Sequence, residues 1–210
     1  MSNTQTASSS HGKLIAVVVA AALVVILALL SAFVWPGWAM NKTADGGGSA
    51  TQSQQQSSKT EKEPTTPSID AVALPDGASE LLKAMPDTVL NYARTKADST
   101  NAWDAASPLE QYTLTYSTGD EAKDVTLTVA QWSTADSAKN QYDALSGALT
   151  GQELGSGSVK VSGNATGSYV AKTDVNDEKK AIAVWQNDTV VFQATGAKAA
   201  VQRFYQEFPL

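Results

Sequence analysis

The apolar run Leu14–Val34 constrains this chain more than any other feature. It holds no charged or amide side chain and a single Ser. A helix rises about 1.5 Å per residue, so about 20 apolar residues span a hydrocarbon core about 30 Å thick. Trp35 and Trp38 come directly after the run, as is typical of a membrane–water interface, and Pro36 ends the helix. The sequence therefore predicts a transmembrane helix at 14–34, whose partner is membrane lipid.

The same run predicts how the chain is oriented. It is longer than the ~7–15 apolar residues of a cleaved secretory signal, and the best small-residue cleavage site, Leu30-Ser31-Ala32, lies inside it. We therefore expect an uncleaved anchor. An N-terminal apolar run preceded by Lys13 normally directs the residues on its C-terminal side across the membrane. The predicted location is the cell membrane, crossed once, with residues 1–13 as a short cytoplasmic tail and the C-terminal domain extracytoplasmic.

A polar segment separates the anchor from the rest of the chain. Asn41–Ser68 consists almost entirely of Gly, Ser, Thr, Gln, Lys, Glu and Pro. Such a composition buries too little apolar surface to offset the entropy of ordering. We expect residues 35–68 to be a juxtamembrane segment and disordered linker. The remaining residues, 69–210, then form one extracytoplasmic domain of ordinary size.

Apolar periodicity in residues 69–210 predicts an α+β fold. Alternating apolar and polar residues predict two antiparallel hairpins, at 112–132 and 181–194, with a two-residue turn at Asn187-Asp188 in the second. Short strands are expected at 159–161 and 168–172, and Gly155–Ser158 is expected to be a loop. Helical spacing predicts four helices, at 79–85, 86–96, 134–149 and 197–208. The predicted architecture is an antiparallel β-sheet, two hairpins plus short strands, with helices packed on one face.

Composition argues against most catalytic chemistry in this domain. The chain has no Cys, and its one His, His11, lies before the anchor. These absences exclude Cys–His and Ser–His–Asp arrangements and a conventional zinc site in the domain. The net charge of −6 argues against a nucleic-acid partner, which requires a basic surface. We expect a protein that is not an enzyme and that uses no cofactor or metal.

Two groups of carboxylates leave alternatives open. The run Asp174–Glu178 is spaced a little like a calcium loop, but lacks the central Gly and the distal bidentate Glu, so a solvated turn is the preferred interpretation. Paired carboxylates can hydrolyse glycosides. Nothing in the spacing selects a pair among the candidates, which are Glu110, Asp120, Glu121 and Asp124.

Aromatic residues supply the candidate binding site. Trp132 and Trp185 are each out of phase with the apolar face of their predicted strand, and Trp103 lies in a loop. Exposed tryptophan rings would form a surface that binds a ligand or partner. The alternative is that the three rings pack beneath helices or loops.

The overall layout resembles that of small, uncharacterised single-pass envelope proteins of high-GC Gram-positive bacteria. The matching features are the Ala/Val/Leu anchor that ends in Trp-Pro-Gly-Trp, the polar tether, the Cys-free domain and the closing stretch VWQNDTVVFQATG…VQRFYQEFPL. The resemblance is one of architecture and carries over no functional residue.

Together these features predict a membrane-anchored extracytoplasmic binding module without catalysis, whose partner is an envelope protein or a wall polymer. Two alternatives remain: a carboxylate-dependent hydrolase acting on cell-envelope material, and a regulatory subunit of a membrane complex. The face of the sheet left uncovered by helices is the expected binding surface.

Overall fold

The computed structural model describes residues 63–209. The predicted tail, the transmembrane helix Leu14–Val34 and the linker as far as residue 62 lie outside the described residues. Within residues 63–209, no helix has the length and apolar character needed to cross a membrane.

Eight strands form one antiparallel sheet, in the order β1-β2-β3-β4-β8-β7-β6-β5. The strands are β1 (Thr88–Val89), β2 (Tyr92–Ser99), β3 (Glu110–Ser117), β4 (Val125–Gln131), β5 (Glu153–Val161), β6 (Asn164–Thr173), β7 (Lys180–Asn187) and β8 (Val190–Ala197). The α-helices of the described part are α1 (Glu80–Ala84), α2 (Ala135–Ala148) and α3 (Lys198–Glu207), with short 3₁₀ turns at Asp104–Ala106 and Glu121–Lys123.

Pairing of β4 with β8 joins the two predicted hairpins in one sheet. Leu127 of β4 lies opposite Ala194 of β8, in the middle of a continuous antiparallel ladder. The second hairpin turns one residue later than predicted. Asn187 pairs with Val190, and Asp188 takes the positive φ of 50° that the turn requires.

The first face of the sheet carries the larger core. Alternate residues of the central strands, such as Leu114, Leu127 and Ala194, point to this face and are completely buried. α1 and α3 cover it. On α3, Val201 and Phe204 lie one turn apart and face the sheet, as the predicted apolar stripe requires.

The second face has its own core, so the prediction that helices pack on one face is wrong. α2 packs there against β7 and β8, where Val184 and Val191 meet Ala138 of the helix. The physical reason is that β7 is apolar on both sides. Ala183 and Trp185 enter the first core, whereas Ile182 and Val184 face the second. A strand with two apolar faces requires a layer on each side.

Two other local predictions are wrong. Residues 86–96 form β1 and most of β2 rather than a helix, because Tyr92, Ala93 and Arg94 are consecutively buried within the sheet. Gly155–Ser158 belongs to β5 rather than to a loop. The ring of Tyr169 lies so close to Gly157 that a Cβ there would be 2.8 Å from the ring carbon Cε1. The glycine makes room for the aromatic ring, which favours the strand.

The buried cation Arg94 fastens the first residues of the domain to the sheet. Its side chain is almost completely buried and donates to the carbonyl oxygens of Met85, Pro86 and Val72. It also pairs with Asp87, at 2.6 Å between Nη2 and Oδ1. Burial raises the pKa of the neighbouring Tyr116, whose hydroxyl donates to Pro86, so this phenol stays neutral.

The last residues of the segment predicted as linker contact the domain. Glu63 pairs with Arg203 of α3 at 2.7 Å, and the same guanidinium donates to the Pro64 carbonyl. Farther along, Ser68 donates to the carbonyl of Thr118. The chain therefore reaches the domain at α3 and then runs to the turn between β3 and β4.

Candidate functional site

The three predicted site residues lie in the interior. Trp103, Trp132 and Trp185 are 8%, 2% and 2% exposed. Trp103 and Trp132 stack on each other in the second core, with ring centroids 6.1 Å apart. The structure brings these two together and places Trp185 on the opposite face of the sheet, against Phe192 and Phe208. Their rings therefore form no exposed aromatic surface, because both faces of the sheet are covered where they lie.

Glu110 lies far from the other three candidate carboxylates. Glu110 begins β3, whereas Asp120, Glu121 and Asp124 come after its other end, more than about 20 Å away along the strand. Asp120 caps the 3₁₀ turn, and a hydrogen bond from Lys123 holds the pKa of its carboxyl below the ordinary value. The Asp120 side chain therefore stabilises the β3–β4 turn, in which Glu121 and Asp124 also lie.

The acidic run Asp174–Glu178 forms the turn between β6 and β7. The carboxylate of Asp174 accepts from the Asn176 N–H, and that of Asp177 accepts from the Lys179 N–H. Both carboxylates are thereby engaged in turns of the local backbone. Across residues 63–209, no group of His, Cys, Asp and Glu is arranged to hold a metal ion.

A polar surface lies on the second face of the sheet, beyond α2. Side chains alternate along each strand, so the residues between the buried Leu114, Leu127 and Ala194 point to this face. We call this surface the threonine face; it consists of Thr113, Thr115, Thr126, Thr128, Gln193 and Thr195. All six side chains are half-buried or exposed.

Strand register arranges the threonine face as two parallel rows. One row runs Thr113, Thr128, Gln193 and the other runs Thr115, Thr126, Thr195. Neighbours within a row lie on adjacent strands, about 4.8 Å apart. The rows are about 7 Å apart, because side chains on one face of a strand recur at every second residue. Each threonine hydroxyl both donates and accepts, and the Gln193 amide does the same. The result is a regular, neutral array of hydrogen-bonding groups on a rigid support.

Different chemistry borders the threonine face on its two sides. Toward β7, the rows continue into Val184 and Ile182, which α2 covers. Toward the edge of the sheet, they continue into Asp98 and Lys96 of β2, which are both exposed. The threonine face is therefore bounded by α2 on one side. On the other side it ends at two exposed residues of opposite charge, Lys96 and Asp98.

A cleft lies on the side of Lys96 and Asp98. It has a volume of about 440 Å³ and is lined by Val72, Ala73 and Pro75 on one wall and by residues 94–98 of β2 on the other. The cleft is partly open to solvent, unlike the enclosed apolar cavities that hold small molecules. The arrangement is suited to an extended molecule that lies against the sheet.

One signal for the threonine face was present in the sequence. The triplet Thr-Leu-Thr occurs twice, at Thr113–Thr115 and Thr126–Thr128, with the leucine in each case at the centre of an alternating strand. Pairing these strands in register would have placed the four threonines side by side. The contribution of Gln193 and Thr195 depends on the pairing of β4 with β8, which alternation alone does not reveal.

Comparisons with known proteins leave the chain without an assigned family. No protein-family description matches it, and no curated protein is significantly similar. Among solved structures, a GTP binding regulator from Thermotoga maritima aligns with a TM-score of 0.37 at 13% identity. The alignment covers 56% of this chain and 78% of that one. A likeness this distant carries no argument about fold or function.

Proposed function

We propose that this protein is a membrane-tethered, non-catalytic binding module that holds a neutral, hydroxyl-rich wall polymer against its threonine face. Leu14–Val34 anchors the chain in the cell membrane, the polar segment after it is the tether, and the domain lies outside. The observation that carries the proposal is the double row of hydroxyl and amide groups on the uncovered part of the sheet.

The chemistry of this surface favours a polymer over a protein partner. Protein interfaces are centred on aromatic and large apolar side chains, often with arginine. The threonine face has none of these. A glycan presents repeated hydroxyl groups, which both donate and accept hydrogen bonds, and a row of threonines at regular spacing matches that repetition. The neutral charge of the array also fits an uncharged polymer.

Replacing threonines by valine tests the proposal with little change of shape, because both residues are β-branched and favour strands. The variant carries Thr113→Val, Thr126→Val and Thr128→Val in the full-length chain. Each lost hydrogen bond is worth about 0.5–1.5 kcal/mol, so we expect affinity for purified, protein-free wall glycan to fall by at least about tenfold. Binding is measured by co-sedimentation with the insoluble glycan.

The matched control is Thr150→Val, which removes an exposed hydroxyl from the loop after α2, away from the threonine face. It should bind the glycan as the unmodified chain does. Full retention of binding by the triple variant would contradict the proposal. An equal loss in the Thr150→Val chain would also contradict it, since the effect would then not belong to this surface.

A further inference from the structure

The outer edge of β2 is incompletely paired. β1 pairs only with Tyr92 and Ala93. The backbone of Arg94 is then used by two neighbouring segments: its N–H donates to Asp87, and its carbonyl accepts from Val72. Beyond Arg94, no other strand of the described part pairs with this edge. A stretch from Thr95 to Ser99 is therefore open to a further strand.

The register of β2 identifies which backbone groups face outward. The Thr100 N–H donates to the carbonyl of Gln111 across the β2–β3 pair. Hydrogen-bonded and non-hydrogen-bonded residues alternate along an antiparallel pair, so the backbone groups of Ala97 and Ser99 point away from β3. Residues 94–98 also line the cleft that lies between β2 and residues 72–75, so this part of β2 borders open space.

We propose that a second copy of this chain occupies this edge, pairing β2 with β2 of the partner in antiparallel orientation about Ala97. In that register, Ala97 lies opposite its own counterpart, and Lys96 of each chain lies opposite Asp98 of the other. Two symmetric ion pairs form on the second face of the joined sheet. Opposite charges placed directly across two strands stabilise the pairing.

Charge also excludes the neighbouring symmetric register. Antiparallel pairing centred on Asp98 would place two Asp98 carboxylates face to face, which is destabilising. The two-residue pattern Lys96–Asp98 therefore specifies both the partner and the register. It is self-complementary only when the strands run in opposite directions, as a two-fold symmetric dimer requires.

The dimer has a geometric consequence for the threonine face. Lys96 and Asp98 continue the two threonine rows to the sheet edge, where the partner's rows begin in the same plane. The two threonine faces thereby form one surface of about twice the width. The pairing itself depends only on the edge of β2 and its two charges, and not on the ligand of the threonine face.

The absence of cysteine in the chain permits a direct test by cross-linking. Residues opposite each other in a hydrogen-bonded antiparallel pair have Cα atoms about 5.5 Å apart, within the range that a disulfide spans. The full-length chain carrying Ala97→Cys, kept soluble in mild detergent and gently oxidised, should form disulfide-linked dimers. The matched control, Ser158→Cys, places an exposed cysteine on β5 at the opposite edge of the sheet.

Charge reversal then tests the register. In the Ala97→Cys chain, Lys96→Asp alone and Asp98→Lys alone should each slow dimer formation by about tenfold, because each creates two like-charge pairs. Combining both substitutions in one chain should restore the rate, and so should mixing the two single variants. This recovery also shows that the substituted chains are folded. Cross-linking of Ala97→Cys no faster than that of Ser158→Cys, or no recovery in the double variant, would overturn the proposal.

Discussion

At the scale of single residues, two equally buried tryptophans differ in their polar atom. Trp132 and Trp185 are both 2% exposed. The indole nitrogen of Trp132 donates to the Ala106 carbonyl at 2.8 Å, which ties the 103–106 turn to the end of β4. The indole nitrogen of Trp185 is buried and has no hydrogen-bond partner within the described residues. The N–H of Trp132 therefore keeps a hydrogen bond in the folded state. The N–H of Trp185 loses its hydrogen bonds to water on folding and gains none, which costs free energy.

This difference predicts unequal effects of the same substitution. Trp132→Phe and Trp185→Phe remove similar volume from a core, but only the first breaks a hydrogen bond and leaves a carbonyl without its donor. We expect Trp132→Phe to lower the free energy of unfolding by about 1–3 kcal/mol more than Trp185→Phe. Urea unfolding of the full-length chain in mild detergent, monitored by far-ultraviolet circular dichroism, measures both. Equal losses, or a larger loss for Trp185→Phe, would contradict this account.

At the scale of elements, periodicity predicted the parts of the fold in which one face of a strand or helix is polar. β3, β4, α1, α2 and α3 lie close to their predicted positions, because each has a clear apolar stripe or alternation. The predictions for residues 86–96 and Gly155–Ser158 were wrong. In residues 86–96, three consecutive residues are buried, so the alternation of apolar and polar residues that indicates a strand is absent. In Gly155–Ser158, an aromatic ring of β6 packs on a glycine of β5. This contact joins two strands and cannot be predicted from the local sequence pattern.

The threonine face illustrates the same limit for the candidate site. Each Thr-Leu-Thr triplet indicated a strand with a polar side. The two rows exist because β3, β4 and β8 are neighbours in a particular register. For the tryptophans, a position out of phase with the strand leaves two alternatives open: exposed rings that bind a partner, or rings that pack beneath helices and loops. Once α2 and the 101–108 loop cover part of the second face, Trp103 and Trp132 become core residues there.

Two glycines in different elements should respond oppositely to a methyl group. At Gly167 in β6, a Cβ would overlap the carbonyl oxygen of Gln186, which belongs to the backbone of β7. Gly147 lies in α2 with no atom near the place of its missing Cβ. We expect Gly167→Ala to destabilise the domain by about 1–3 kcal/mol, and Gly147→Ala to stabilise it by up to about 1 kcal/mol. Thermal unfolding of the full-length chains tests both signs, and a stable Gly167→Ala chain would contradict the close approach of β6 and β7.

At the scale of the whole molecule, the two faces of the sheet differ in what covers them. α1 and α3 cover the first face with a continuous core, whereas α2 covers only the β7–β8 side of the second. The remaining surface is polar and rests on a rigid, fully paired part of the sheet. Under the proposed function, the membrane anchor would hold this surface close to the cell membrane. The proposed β2 edge pairing would widen that surface without covering it.

The measurement that tests the central claim most directly is photo-cross-linking in intact cells. One full-length chain carries a photoreactive residue in place of Thr126, on the threonine face, and a matched chain carries it in place of Lys139, exposed on α2. After irradiation, wall glycan is isolated and washed free of all protein that is not covalently attached. The account predicts that the chain remains on the glycan for the Thr126 position and not for the Lys139 position. Attachment through Lys139 alone, or no attachment through Thr126, would contradict it.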